Sequence, residues 1–166
     1  MTDPTSRLVM GVDVSARRIA YAITLEDRII RYGLAHTQTL ADRRGAWESI
    51  RDDTRAAEWS THRDLYGVWV EDVWLGPNRR GSLEHALSVG QSLAYAHTMF
   101  RMSSVDLIQP QSWRKHCGLP TRGKEPAHAY ASSLLHDADT KLSQDEADAI
   151  CISIAAGRIT SLAESE

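Results

Sequence analysis

Three apolar runs follow one another near the start of the chain with almost nothing between them. Leu8–Val14, Arg18–Leu25 and Arg28–Ala35 each have strand composition, and their links are only Ser15-Ala16-Arg17 and Glu26-Asp27. Links that short join antiparallel neighbours; a parallel pair needs a crossover of a dozen residues or more. Such a crossover comes next. Leu40 to Trp59 places Trp47, Ile50, Thr54 and Ala57 at helical spacing on one face, and Tyr66–Trp74 is a fourth strand-like run. A strand reached through a helix can lie parallel to the first. Beyond the Gly76-Pro77-Asn78 break, the pattern predicts a long helix over 82–102 and a fifth strand over 104–109. A short proline-started helix over 110–117 and helices over 126–136 and 143–159 complete it. The order β-β-β-α-β-α-β-α-α-α describes one α/β domain over residues 1–166, with 1–6 and 160–166 as flexible tails.

Four carboxylates sit where acids are expensive. Asp13 lies inside the first apolar run, Glu71 ends the fourth, and Asp145 and Asp148 open an otherwise apolar helix. Acidic residues in such segments need a partner or a metal. Asp145 and Asp148 are three apart and share a helix face, and Ser143 with Glu146 makes a capping box before them. Taken alone, these two are ordinary charges at a helix N-terminus, and Glu71 alone is a solvated strand end. If the fourth strand pairs with the first, Asp13 and Glu71 meet at one edge of the sheet where the last helix can lean in. Crowded carboxylates repel one another. Two hard divalent cations, magnesium or manganese in its place, would relieve that repulsion and could hydrolyse a phosphodiester.

The chain carries a net charge of −3, so it does not advertise a polyanion partner as a whole. Placement says more. Arg79 and Arg80 follow the second acid, and Arg114, Lys115, Arg122 and Lys124 form a second basic stretch. Trp74 reads either as packing or as a base-stacking wedge, and Trp113 as core. The long helix over 82–102 has two apolar stripes, one through Leu83, Leu87, Gly90 and Ala94 and one through Ala86, Val89, Leu93, Ala96 and Phe100. One stripe suits the sheet; the other suits the same domain or a partner subunit. No apolar run spans a bilayer, the first residues lack a signal-peptide layout, and Cys117 and Cys151 read as reduced thiols of a cytoplasmic protein. The histidines have no zinc-ligand spacing.

The chain resembles the RuvC-type Holliday-junction resolvases of the ribonuclease H-like superfamily over nearly all of residues 8–157. The resemblance rests on Gly11-Val12-Asp13 with Arg17-x-x-Ala20-Tyr21-Ala22, and on Glu71-Asp72-Val73-Trp74 followed by Asn78, Ser82, Leu87 and Gly90-Gln91. The lysine-bearing segment 113–126 and Asp145-x-x-Asp148-Ala149 complete it. The resemblance implies a five-stranded mixed sheet flanked by helices and a homodimer formed through the helix over 82–102. It implies a nuclease that cuts opposing strands of a four-way DNA junction symmetrically with two magnesium ions. Asp13, Glu71, Asp145 and Asp148 match the family's metal-binding acids. Lys115 and Lys124 match its basic residues near the scissile phosphate, and Trp74 its aromatic beside the junction centre. Arg79, Arg80, Arg114 and Arg122 join them as expected DNA contacts. The family's Asp-Pro-Gly is Asp13-Val14-Ser15 here, and the loops around residues 76–82 and 117–124 differ. Two other readings stay open: a ribonuclease H-like nuclease acting on RNA or an RNA–DNA hybrid, and a branched-DNA binder without catalysis. A sugar-kinase-like phosphotransferase would need a second domain, for which the chain is too short.

Overall fold

The computed structural model describes residues 6–72, 79–100, 104–135 and 141–163. The strands are β1 (Leu8–Val14), β2 (Arg18–Leu25), β3 (Arg28–His36), β4 (Leu65–Glu71) and β5 (Ser104–Ile108). The helices are α1 (Leu40–Thr61), α2 (Arg79–Met99), α3 (Pro110–His116), α4 (Glu125–Leu134) and α5 (Gln144–Ala163). The strands form one sheet in the order β3-β2-β1-β4-β5. The two short links make antiparallel hairpins, and the two helical crossovers place β4 parallel to β1 and β5 parallel to β4. The α/β class and the mixed five-stranded sheet flanked by helices are as expected.

Alternation along β1 divides the core. Leu8, Met10, Val12 and Val14 face α1 and α2, where Trp47, Ile50, Ala57, Val89 and Ala96 are buried with them. Val9 faces the other way, with Ala20, Ala22 and Trp69, toward α3, α4 and α5. The central helix α5 is buried over most of its circumference, from Ala147 through Ala156. A helix apolar on every side must be covered on every side, and α3 and α4 cover what the sheet does not.

Capping fixes where helices begin. Thr39 and Asp42 form a capping box at α1. Ser143 and Glu146 do the same ahead of α5: the Ser143 amide donates to Glu146 Oε2 at 2.9 Å, and the Glu146 amide to Ser143 Oγ at 3.3 Å. α2 starts at Arg79 rather than Ser82, so the basic pair 79–80 belongs to a helical first turn and not to a loop. α5 runs to Ala163, into the stretch read as a tail. On α2, the stripe containing Val89 and Ala96 packs on the sheet, while Leu83 and Leu87 of the other stripe are 61% and 58% exposed. Among the described residues no helix is long and apolar enough to cross a membrane.

Candidate functional site

The parallel register of β1 and β4 pairs Gly11 with Trp69 and Val12 with Val70. Asp13 and Glu71 are one position further along, so they sit side by side where both strands end, on the α5 face. The backbone of α5 comes unusually close to this point. A Cβ built on Gly11 would lie 2.3 Å from Ser153 N and 2.5 Å from Ala149 O. Only glycine permits that approach. Ser153 secures it: its hydroxyl donates to Val9 O at 3.0 Å and bonds the Thr24 hydroxyl at 2.8 Å. Asp145, Ala149 and Ser153 follow one another at intervals of four along the helix. The turn that carries Asp145 and Asp148 therefore lies over the β1 terminus beyond the contact at Ala149 and Ser153.

Asp13, Glu71 and Asp148 are shifted by burial and by the charges around them. Burial, first, and then the charges of Glu71, Asp148 and Asp145 hold the Asp13 carboxyl well above the usual range, and its hydrogen bond to Glu71 acts in the same direction. Burial also raises Glu71, opposed by the Trp113 hydrogen bond and by Arg114, and reinforced by Asp148. Burial raises Asp148 too, against Gln144, Arg114 and Lys124 and with Asp145. Individual contacts hold these side chains in place. Trp113 Nε1 donates to Glu71 Oε1 at 2.9 Å, Gln144 Nε2 donates to Asp148 Oδ1 at 2.9 Å, and Arg18 Nη1 lies 3.1 Å from Asp145 Oδ2.

The donor chemistry suits a hard divalent cation: four carboxylates in one region, three of them raised by burial. The arrangement is not yet a cage. Among the described residues no three His, Cys, Asp or Glu side chains stand so as to hold a metal ion. The carboxylates instead face Arg18, Gln144 and Trp113.

The basic residues divide. Lys124 at the start of α4 and Arg114 on α3 are near enough to act on Asp148, and Arg114 also acts on Glu71. Arg114 Nη1 donates to Gly123 O at 2.8 Å, which ties α3 to the loop before Lys124. Lys115 goes elsewhere. It lines a cavity of about 590 Å³ with Arg7, Asp27, His116 and Arg158 at the opposite end of α5. Residues 113 and 115 are about 200° apart around a helix, so turning Trp113 to Glu71 turns Lys115 away from the acids. Arg80 is exposed and pairs with Glu84, and Arg122 is exposed in the loop before α4. The Arg79 side chain and all of Trp74 lie outside what the structure describes. Cys117 and Cys151 are buried free thiols.

Three contributors escaped the sequence reading. Arg18 gave no signal beyond its place at the head of β2. Gln144 stands four residues before Asp148, a helical hydrogen-bonding spacing. Trp113 is core, with 1% exposure, and its indole N–H also serves Glu71; a buried tryptophan needs an acceptor, which was the available clue.

No family model matches the sequence, and no curated protein matches it. Solved structures do match. A T. thermophilus RuvC in complex with a Holliday junction substrate aligns with a TM-score of 0.67 at 13% identity, covering 92% of this chain and 94% of that one. A second Thermus thermophilus RuvC structure aligns with a TM-score of 0.65 at 14% identity, covering 92% and 95%. With the same five-stranded mixed sheet and flanking helices over nearly its whole length, this chain has the ribonuclease H-like fold of the RuvC structures.

Proposed function

We propose that the protein is a metal-dependent, structure-selective endodeoxyribonuclease that resolves four-way DNA junctions by symmetric paired nicks. The observation that carries this reading is the meeting of Asp13 and Glu71 with the Asp145–Asp148 turn at one edge of a RuvC-like sheet, each close enough to shift another's ionisation. Asp13, Glu71, Asp145 and Asp148 would hold the cations, magnesium with manganese as a substitute. Two such ions supply an activated water and a counter-charge for the leaving oxygen.

The chain's own groups do the rest. Trp113 and Gln144 orient the carboxylates of Glu71 and Asp148. Lys124 and Arg114, the cations that act on Asp148, would face a phosphate bound at the acids. Trp74, Arg79, Arg80 and Arg122 remain proposed DNA contacts further along the strand. Lys115, turned to the far end of α5, would meet DNA outside the reacting centre. Symmetric cuts need two active sites, and the exposed Leu83–Leu87 stripe of α2 offers the homodimer face. The enzyme would work in the cytoplasm of a bacterial or phage-infected cell.

The test is incubation of the protein with a synthetic four-way junction and magnesium. Paired nicks on opposing strands are expected. Asp148→Asn should lose cutting and keep junction binding, because it removes a metal ligand and no DNA contact. Cleavage of an RNA–DNA hybrid without junction cleavage would instead favour the ribonuclease reading. Junction binding without any cutting would leave a binding protein.

A further inference from the structure

Arg18 is the one cation in direct contact with any of the four acids among the described residues. Its delivery is rigid. The Arg18 amide donates to Ser15 Oγ at 3.1 Å, and the Ser15 amide donates to Arg18 O at 2.9 Å. Behind this turn the buried Arg43 guanidinium donates to Ser15 O at 3.2 Å and Ala16 O at 2.9 Å, while the Thr37 amide donates to Arg17 O at 2.7 Å. Ala20 pairs with Asp13 across the sheet, and Arg18 is two residues before it on the same face. The loop is thus fixed from both sides, and a side chain 46% exposed is aimed at a carboxylate 22% exposed. An ordinary surface pair is made by two mobile chains and contributes little. Here the cation stands on a fixed base and makes a direct ion pair at the edge of an acid cluster on which Arg114 and Lys124 act only from a distance.

We infer that Arg18 is an exchangeable counterion of the site: it holds Asp145 when neither metal nor DNA is bound, and passes to a backbone phosphate when DNA arrives, which frees Asp145 for a cation. The inference rests on the reading of Asp145 as a metal ligand. A guanidinium prefers the paired oxygens of a phosphate at least as well as a carboxylate. Metal and Arg18 compete for Asp145, whereas DNA and Asp145 compete for Arg18. DNA binding and metal binding therefore assist one another, and by linkage each raises the other's affinity by the same factor. Arg18 is in this sense a positioning residue, acting on the metal through Asp145, and the device keeps the site poorly loaded until a strand is in place.

The experiment titrates Mn2+ into the DNA-free protein, followed by the paramagnetic resonance of free Mn2+. Arg18→Gln should bind Mn2+ about tenfold more tightly than the wild type, the scale set by removing one unit charge from a dication's side at roughly 5 Å in water-like surroundings. Arg17→Gln makes the same change in net charge one residue away and controls for long-range charge, which is screened at physiological salt. It should shift the affinity by less than about twofold. In calcium, the wild type should bind a four-way junction more tightly than in chelator, and Arg18→Gln should lose most of that gain. Equal Mn2+ affinity in Arg18→Gln and Arg17→Gln would overturn the exchange. If Asp145→Asn still abolishes Mn2+ binding in that case, the metal reading survives and only the exchange falls. If no protein binds Mn2+ with or without DNA, both fall.

Discussion

Substituting Gly11 by alanine puts one methyl group into the close contact between β1 and the α5 backbone. The added carbon would lie 2.3 Å from Ser153 N, 2.5 Å from Ala149 O and 2.8 Å from Ser153 Cα, all backbone atoms that no rotamer change can move. Restoring an ordinary 3.4 Å separation from Ser153 N requires α5 and β1 to part by about 1 Å. That movement strains the Ser153 bridge to Val9 O and Thr24 and lifts the turn bearing Asp145 and Asp148 from Asp13. Overpacking costs about 1–3 kcal/mol where side chains can yield; with backbone on both sides the expected loss is about 3 kcal/mol or more. A 1 Å displacement of reacting groups costs about 100-fold in rate, so the folded fraction should cut junctions about 100-fold more slowly. Gly157 supplies the control on the same helix. Its added carbon would meet only Val9 Cγ2, at 3.5 Å, and alanine is preferred to glycine inside a helix by about 1 kcal/mol. Gly157→Ala should therefore be neutral or up to about 1 kcal/mol more stable. Urea unfolding of both variants, with single-turnover cleavage of a labelled junction, decides the matter. A Gly11→Ala protein as stable and active as the wild type would refute the close approach and with it the account of how α5 reaches the site.

Two further outcomes follow from the electrostatics. The folded-state pKa of Asp13 is raised, so its contribution to stability is fully present below the unfolded value and is lost as pH rises through the folded one. Asp13→Asn should accordingly stabilise the metal-free protein in chelator at pH 8 by about 0.5–2 kcal/mol. The gain should vanish near pH 4 and reverse when magnesium stabilises only the wild type; melting scans in chelator at both pH values, and in magnesium at pH 8, would show it, and no gain at pH 8 would contradict it. Trp113→Phe removes the N–H that serves Glu71 and should cost about 1–3 kcal/mol in denaturant, with the pH midpoint of cleavage moving upward because that hydrogen bond holds the Glu71 carboxyl down; unchanged stability and midpoint would contradict it.

The sheet was legible because link length leaves few choices. Three residues after Val14 and two after Leu25 demanded hairpins, and the helix after β3 allowed β4 to pair in parallel with β1, as the register now shows. The α1 face through Trp47, Ile50, Thr54 and Ala57 is buried as its spacing predicted. Other features depended on forces that periodicity does not record. The helix over 82–102 showed two apolar stripes, but which one the sheet would take depended on how α2 crosses it; the answer left Leu83 and Leu87 outside. Its start at Arg79 was hidden behind a Gly-Pro break that reads as loop.

At the candidate site, acids and cations differed in legibility for a physical reason. An acid within an apolar segment carries a desolvation cost, so its position must be compensated by something, and Asp13, Glu71 and Asp148 are indeed raised chiefly by burial. A lysine or arginine on a surface helix carries no such cost: its head reaches water from almost any direction. Lys115 and Lys124 looked alike in sequence, yet one lines a cavity at the far end of α5 and the other acts on Asp148. Arg18, which makes the closest ionic contact to the cluster, looked like the polar first residue of a strand. The direction of a surface cation is set by the turn that carries it, here by Ser15 and the Arg43 guanidinium 25 residues further along the chain. Sequence therefore exposes the costly half of an electrostatic site and conceals its counterions, which only the assembled backbone orients.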